Sequence, residues 1–467
     1  MNIKHQVTKY LSLILIFFFV FTPSVSKGYL GEFTIKDEAK LGEKFKKLIR
    51  TRFPIIEDPE VKNYVQKIVQ RLERNMPPQL FPITVDVVNN NNMNAFATVA
   101  GYMVIFSGLI LGMEHESEVA AVLAHELAHI SQRHVAKNIE RSQLIGLGTL
   151  LGVLAGVFIG SKAGGDALVV GSLAGAKSAF LKYSRDDERE ADQVGLNFLM
   201  AAGFNPQGMV SAFEKIRKKK WLSGGGNIPS YLSTHPGIEE RIGYLQERVN
   251  RLKKRVDLPA YSDKEFYRVQ TLLRARYTDP ASALKFFQEK ALDECLRGLG
   301  KAIALSRLNR IKEAEAAFIK VLKCGSKDPL FLREAGRFYY AYGQLEQAAL
   351  YLQKAVLLNP KDLMALFFYA RVLAEKGDFD TASIYLRKVL KYIPEDAEVH
   401  EHLARVLGQK GDRFAAHLHL AYANLYKNNK RQTRFHQKKI KSLARTDAQK
   451  KKVKDFEKAY KERAEFW

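Results

Sequence analysis

Ala120-Ala-Val-Leu-Ala-His-Glu-Leu-Ala-His-Ile130 is an almost wholly apolar run that carries two histidines and a glutamate. On a helix, residues four apart share a face, so His125 and His129 both aim an imidazole at one metal ion. Glu126 sits about 100° further round, within reach of a water on that metal. This is the spacing with which zinc peptidases hold their ion and deprotonate a water. A helix with incidental histidines is the plain alternative. It fits poorly, because the small and aliphatic neighbours describe a buried helix.

Working outward, Lys36 to Arg52 reads as a helix rich in Lys and Glu. Asp58 to Asn75 reads as another, with Val61, Tyr64, Val65, Ile68, Val69 and Leu72 at helical spacing. Ile83 to Val88 alternates like a strand, and Asn89 to Asn92 is turn-prone. Asn94-Ala-Phe-Ala97 and Gly101 to Phe106 suggest two more strands. The metal-site helix is expected from Glu116 to Lys137. Together these predict an α+β zincin-like metalloprotease domain with a small β-sheet, at residues 27–255, in a mainly α chain.

Beyond about residue 260 the chain becomes repetitive. Gly343, Gly377 and Gly411 are 34 apart, as are Ala314, Ala348, Ala382 and Ala416, and Pro360 and Pro394. That period, with small residues at fixed places and Pro after the second helix, is the tetratricopeptide signature. An α-solenoid that binds protein segments is expected over 260–425. Asp279 to Leu292 reads as an earlier, degenerate unit. The period is lost from Tyr426, so 426–467 is expected to form a basic helical tail that caps the array.

The chain of 467 residues has room for two or three domains. Lys4 and Lys9 precede an apolar run from Tyr10 to Phe21, then Thr22-Pro-Ser-Val-Ser26. Charged start, short apolar core and small-residue exit predict a signal peptide at 1–26 and export to the periplasm, with an uncleaved membrane anchor as the alternative. Gln143 to Gly160 is apolar and Gly-rich, and the segment 143–178 is expected to act as a lid or a membrane contact. The net charge is +24, and residues 427–467 hold 15 Lys or Arg against 5 Asp or Glu. Export argues against nucleic acid as the partner of that tail. Anionic lipid, lipopolysaccharide, an acidic partner protein or plain solvation remain. Cys295 and Cys324 either pair or serve as two small packing residues, and the sequence leaves both open.

Two His leave a zinc ion one protein ligand short. The metzincin pattern would need Gly and His where the chain has Gln132 and Val135, so that class is excluded. His134, five residues after His129, turns off the ligand face and reads as a surface residue or a partner of a ligand. Ser184-Arg-Asp-Asp-Glu-Arg-Glu-Ala-Asp192 places Glu188 and Asp192 on one helix face. The first can complete a His-His-Glu site and the second can orient a ligand imidazole. Read alone, a solvated acidic helix start is the better account of that stretch.

The combination resembles a known family. His-Glu-Leu-Ala-His with Ser-Arg-x-x-Glu-x-Glu-Ala-Asp, then Ser233-Thr-His-Pro236 and Arg241, is similar to the HtpX and CAAX-prenyl-protease group of zinc metallopeptidases. The exported, repeat-bearing members of that group are the nearest in organisation. The resemblance implies one Zn2+ held by His125, His129 and Glu188, with Glu126 as catalytic base and Asp192 supporting a ligand. It implies that His235 takes the fourth position on the metal and keeps the enzyme latent. It implies substrate contacts from Asn94, Ala95, Phe96 and Ala97, a segment placed before the active-site edge strand. Arg241 is a candidate for the oxyanion or a clamp on the site's carboxylates. The implied activity is hydrolysis of misfolded or stalled outer-membrane β-barrel proteins in the periplasm, with the β-barrel assembly machinery as partner. A non-enzymatic, repeat-based chaperone with a permanently latent metal site is the competing reading. A membrane-integral protease is a third, if Gln143 to Gly160 spans.

Overall fold

Thr34 accepts a hydrogen bond from Asp37 N at 3.2 Å, and the Asp37 carboxylate accepts one from Thr34 N. This capping box starts helix α1 (Ile35–Arg52). Asp58 caps α2 (Pro59–Glu73), with Pro59 at the position where its missing N–H costs nothing. Between them in space lies a three-stranded sheet of β1 (Thr84–Val88), β2 (Ala95–Ala97) and β3 (Tyr102–Phe106), in the order β1-β3-β2. β1 runs parallel to β3, and β2 runs antiparallel to it. Strand side chains alternate between faces. Phe96, Val104 and Phe106 therefore pack with Leu41 and Phe45 of α1, while Ala95, Ala97, Met103 and Ile105 pack with Val61, Val65 and Ile68 of α2. Ala95–Ala97 forms the strand that its sequence suggests; among the described residues it pairs with β3 alone, so it is itself an edge strand, whereas the resemblance placed it before one.

The computed structural model describes residues 33–142, 150–152, 154, 183–222, 230–253, 262–289 and 293–467. The expected signal peptide and nearly all of the 143–178 segment lie outside these. Among the described residues no helix is long and apolar enough to cross a membrane.

After α3 (Ser107–Gly112) comes the metal-site helix, α4 (Glu116–Ser131). It does not continue to Lys137 as its sequence suggests. Arg133 adopts φ 53°, which breaks the helix, and α5 (His134–Ser142) starts in a new direction. The Arg133 guanidinium reaches Glu38 at 2.6 Å, so a contact remote in sequence accompanies the break. Helices α6 (Arg185–Ala201), α7 (Gln207–Leu222), α8 (Ser230–Thr234) and α9 (Ile238–Lys253) complete this part.

The repeats follow as antiparallel helix pairs. Their first helices begin at Pro329, Leu363 and Ala397, and their second helices at Ile311, Leu345, Phe379 and Arg413, each step being 34 residues. Gly343, Gly377 and Gly411 all have φ between 75° and 87° and end the first helix of a pair. Asn309 takes the same place in the preceding unit with φ 58°, which carries the register one repeat further back than the glycines show. Ala314, Ala348 and Ala382 are fully buried where paired helices meet. Cys295 and Cys324 form a disulfide between Glu294–Arg307 and Ile311–Cys324. The tail is not one helix but two, Lys430–Leu443 and Asp447–Ala464. Ile440, Val453 and Phe456 pack on Phe414, Leu418 and Leu425 of the preceding helix. Its far end returns to α1: Lys44 pairs with Glu465, Lys47 with Glu462, and Phe466 is buried with Leu41 and Phe45.

One apolar core runs from α2 and α4 through Phe266, Leu272 and Phe318 to Leu352, so the peptidase part and the first repeats share an interior. Ions cross it too. Arg333, fully buried, donates to Asp58 at 2.9 Å, to Glu334 at 3.0 Å and to Asp362 at 3.2 Å. Asp58 and Asp362 are themselves helix N-caps, one in α2 and one in Leu363–Glu375.

The last repeats are sensitive to acid. Burial holds His400 down to about 4; burial with Arg371 and Arg405 nearby holds His402 down to about 3; burial with His400 nearby holds His419 down to about 3. A histidine whose folded pKa is depressed stabilises the fold above its unfolded value of about 6.5 and loses that stability as pH falls. Melting of the chain followed by circular dichroism is expected to weaken between pH 6.5 and 4. A melting temperature flat over that window would contradict it.

Candidate metal centre

Helix α4 is met at close range by α6. A Cβ on Gly195 of α6 would lie 2.9 Å from Ala124 O and 3.1 Å from His125 Cα, so glycine is what lets α6 bring Glu188 to α4. Ser184 starts α6 with a capping box on Asp187, which leaves Glu188 and Asp192 on the inner face. The short helix α8 ends at Thr234 and places His235 opposite them.

His125, His129, Glu188 and His235 are all buried, and one ligand atom from each lies within 4.8 Å of the others. His125 Nε2 and His129 Nε2 are 3.0 Å apart. Glu188 lies 3.5 Å from His125 Nε2, 3.3 Å from His129 Nε2 and 2.8 Å from His235 Nδ1. His235 Nδ1 is 3.3 Å from His125 Nε2. The outer nitrogen of each helix histidine is engaged elsewhere. His125 Nδ1 faces Asp192 Oδ1 at 3.0 Å. His129 Nδ1 faces His134 Nδ1 at 2.8 Å, and His134 Nε2 faces Glu190 at 3.2 Å. With a proton on each Nδ1, both Nε2 lone pairs point at one spot, where a cation relieves their repulsion. His235 Nε2 and Glu126 Oε1, 3.4 Å apart, are buried without a hydrogen-bond partner among the described residues. Nitrogen and carboxylate donors of this number suit zinc.

Two aromatic rings fix the histidines. Tyr183 stacks on His129 with centroids 3.6 Å apart, and Tyr231 stacks on His235 at 4.2 Å. Arg241 is the site's internal counter-charge. It donates to Asp192 through Nε at 2.8 Å and Nη2 at 2.7 Å, and its Nη1 lies against Glu188. Tyr244 donates to the same Asp192 carboxylate. Against the opposing effect of burial, Arg241 and His125 hold Asp192 down to about 2. Burial pushes the Glu126 carboxyl up.

The structure brings His125, Glu126, His129, Glu188, Asp192 and His235 together. Of the expected substrate contacts, Arg241 is 3% exposed and lies against the carboxylates of Asp192 and Glu188, the clamp arrangement that its sequence position also allowed. Asn94 is buried at the start of β2, its carbonyl accepting from Phe106 N. At Ala97 the outer edge of β2 is already taken: its N–H donates to Glu126 at 2.8 Å and its C=O accepts from Tyr183 at 3.2 Å. His134, read from spacing as a surface residue or a ligand's partner, is 1% exposed and partners His129. Tyr183, Tyr231 and Tyr244 carried no signal in the sequence, since a lone tyrosine marks no motif. Gly195 carried one in retrospect, as a glycine inside a helix.

Residues 56–249 match the peptidase family M48, and residues 300–362 and 339–406 match tetratricopeptide-repeat families. The chain is 29% identical over 329 residues to the β-barrel assembly-enhancing protease of Escherichia coli, covering 68% of this chain and 64% of that one. It is 28% identical over 301 residues to the protein of that name from Yersinia pestis, covering 62% and 61%. It is 31% identical over 176 residues to the metalloprotease LoiP of Escherichia coli, covering 36% and 64%. The chain thus spans less than two thirds of the length of these relatives. With the buried His-His-Glu-His cluster inside the matched region, the chain carries a peptidase domain of family M48 followed by tetratricopeptide repeats.

Proposed function

We propose that the chain is a zinc-dependent endopeptidase of the periplasm whose site rests closed and whose repeats bring polypeptide clients to it. The observation that carries this is the convergence of His125 Nε2, His129 Nε2 and Glu188 beside a buried Glu126. In this reading His125, His129 and Glu188 hold the ion. Zinc there supplies Lewis acidity to water and to a scissile carbonyl. Glu126 takes the proton from water through its free Oε1 and passes it to the leaving amine. Asp192, clamped by Arg241, keeps the proton of His125 on Nδ1. The relatives named for β-barrel assembly support misfolded or stalled outer-membrane β-barrel proteins as the clients.

Two contacts support a closed resting state. His235, stacked on Tyr231, brings Nδ1 into the donor cluster, 2.8 Å from Glu188 and 3.3 Å from His125 Nε2. The edge of β2, which would pair with an extended substrate, is tied to Glu126 and Tyr183 at Ala97. Zinc content and casein cleavage by the purified chain and its His235→Ala variant test the proposal. One zinc per chain and faster cleavage by the variant are expected. If both bind zinc and neither cleaves, the repeat-based docking protein becomes the better reading. If His235→Ala is no faster than the parent, latency through His235 fails.

His134 gives a second expected outcome. Its Nδ1, 2.8 Å away, can accept a hydrogen bond from His129 Nδ1–H and so keep that proton in place. Removing such a partner typically costs about 10–100-fold in metal affinity. Competition with a zinc chelator is expected to show that loss for His134→Ala. Unchanged affinity would mean that the Tyr183 stack alone orients His129.

A further inference from the structure

The last helical pair carries a strongly basic surface at the far end of the solenoid. Residues 427–467 carry fifteen basic against five acidic side chains, ten of the chain's +24. Four of the five acids are paired, and the fifth, Asp455, stands exposed among the lysines of the last helix. Glu462 and Glu465 neutralise Lys47 and Lys44 of α1, while Glu457 and Asp447 pair with Lys441 and Lys450. Lys427 and Arg463 find acids on the preceding repeats. The other eleven basic residues have no acidic partner within 4 Å among the described residues.

Helical spacing gathers them on one side. In Lys430–Leu443 the inward residues are Thr433, His436 and Ile440, so Arg431, Arg434 and Lys438 point outward. In Asp447–Ala464 the inward residues are Val453 and Phe456, and Lys451, Lys454, Lys458 and Lys461 form the outer stripe. The two helices run side by side, since Arg434 reaches Tyr460 and Lys441 reaches Glu457. Their outer faces therefore form the cap's free surface. In the middle of the first face stands Phe435, 49% exposed, with Lys439 over its ring.

A terminal repeat needs a polar outer face for solubility, but mixed charges serve that purpose. A solubilising cap needs neither so large a basic excess nor an exposed phenylalanine. Basic side chains around an apolar residue on a surface helix are the features that hold a protein at an anionic bilayer: the cations meet phosphates and the ring enters the headgroup layer. We propose that the outer face of Lys430–Leu443 and Asp447–Ala464 is a docking surface for a membrane rich in anionic, phosphate-bearing lipid. The solenoid cap then sits against lipid while the inner faces of the same helices hold the repeats together.

Co-sedimentation of the full chain with vesicles tests this. Phosphatidylcholine vesicles with roughly one third phosphatidylglycerol are expected to bind it roughly tenfold or more tightly than phosphatidylcholine alone, with the difference lost in high salt. The combined change Lys438→Glu, Lys439→Glu, Lys451→Glu and Lys454→Glu is expected to abolish the preference, with helical circular dichroism and melting as checks on folding. Phe435→Ser leaves the charge intact and is expected to weaken binding several-fold at every salt concentration. Equal binding to both vesicle types overturns the proposal, as does full binding by the folded charge-reversed variant. Displacement of the vesicles by polyglutamate or duplex DNA at matched charge also overturns it, in favour of an acidic polymer.

Discussion

Replacing Arg333 by alanine is expected to cost roughly 3–5 kcal/mol of stability, the range for breaking a buried ion pair from one side. The site is suited to that outcome. Arg333 has no exposed surface, and its three carboxylate partners, Asp58, Glu334 and Asp362, are each buried. Removing the guanidinium leaves Asp58 and Asp362 close together with only backbone N–H groups to offset them. Glu334 keeps Arg276 and Arg337, so the damage concentrates on the two N-caps. Arg333→Lys is expected to fare little better, since one ammonium cannot reproduce the fork. Denaturant unfolding of the full chain gives the size of the effect. Hydrogen exchange adds its place: amides near residues 60–62 and 364–366 are expected to lose protection together. A loss below about 1 kcal/mol would show that the cluster relaxes or admits water.

Glu126→Gln is expected to lower peptide hydrolysis by about 10²–10⁴-fold, the contribution of a positioned general base. Glutamine has nearly the same shape, and its amide oxygen can still accept from Ala97 N. Zinc content is therefore expected to stay at the parental value, because Glu126 is not among the clustered donors. The measurement belongs in the His235→Ala background, where the resting state does not mask the rate. Retained hydrolysis would remove Glu126 from the chemistry and direct attention to Tyr231 or Tyr244. Loss of zinc along with the rate would instead make Glu126 part of the metal's support.

Much of this architecture could be read from local pattern. The five residues His125 to His129 carry helical spacing and ligand chemistry at once, and the structure places both histidines on one buried face. The repeats were as plain, because a period of 34 is written in small residues that packing requires. Features set by distant contacts were not readable. The end of α4 at Ser131 is accompanied by the reach of Arg133 to Glu38, 95 positions away, and no residue near 131–133 announces a stop. The tyrosines stacked on His129 and His235 belong to segments that meet only after folding. The disulfide was left open because spacing alone cannot bring two cysteines together. The role of Arg241 was half readable: an arginine near two carboxylates in space is either a clamp or a substrate contact, and only its burial decides.

The helix Asp447–Ala464 returns the far end of the solenoid to α1, while Arg333 ties its near end to α2. The array is therefore a beam clamped at both ends, not a cantilever free at one. A cantilever can bend without loading its support. A doubly clamped beam cannot: any client that flattens or tightens the repeat curvature changes the distance its two anchors must span. Those anchors grip helices on opposite faces of the same three-stranded sheet, and that sheet ends in β2, whose outer edge at Ala97 holds Glu126. A client that changed the curvature of the solenoid would therefore load both anchors.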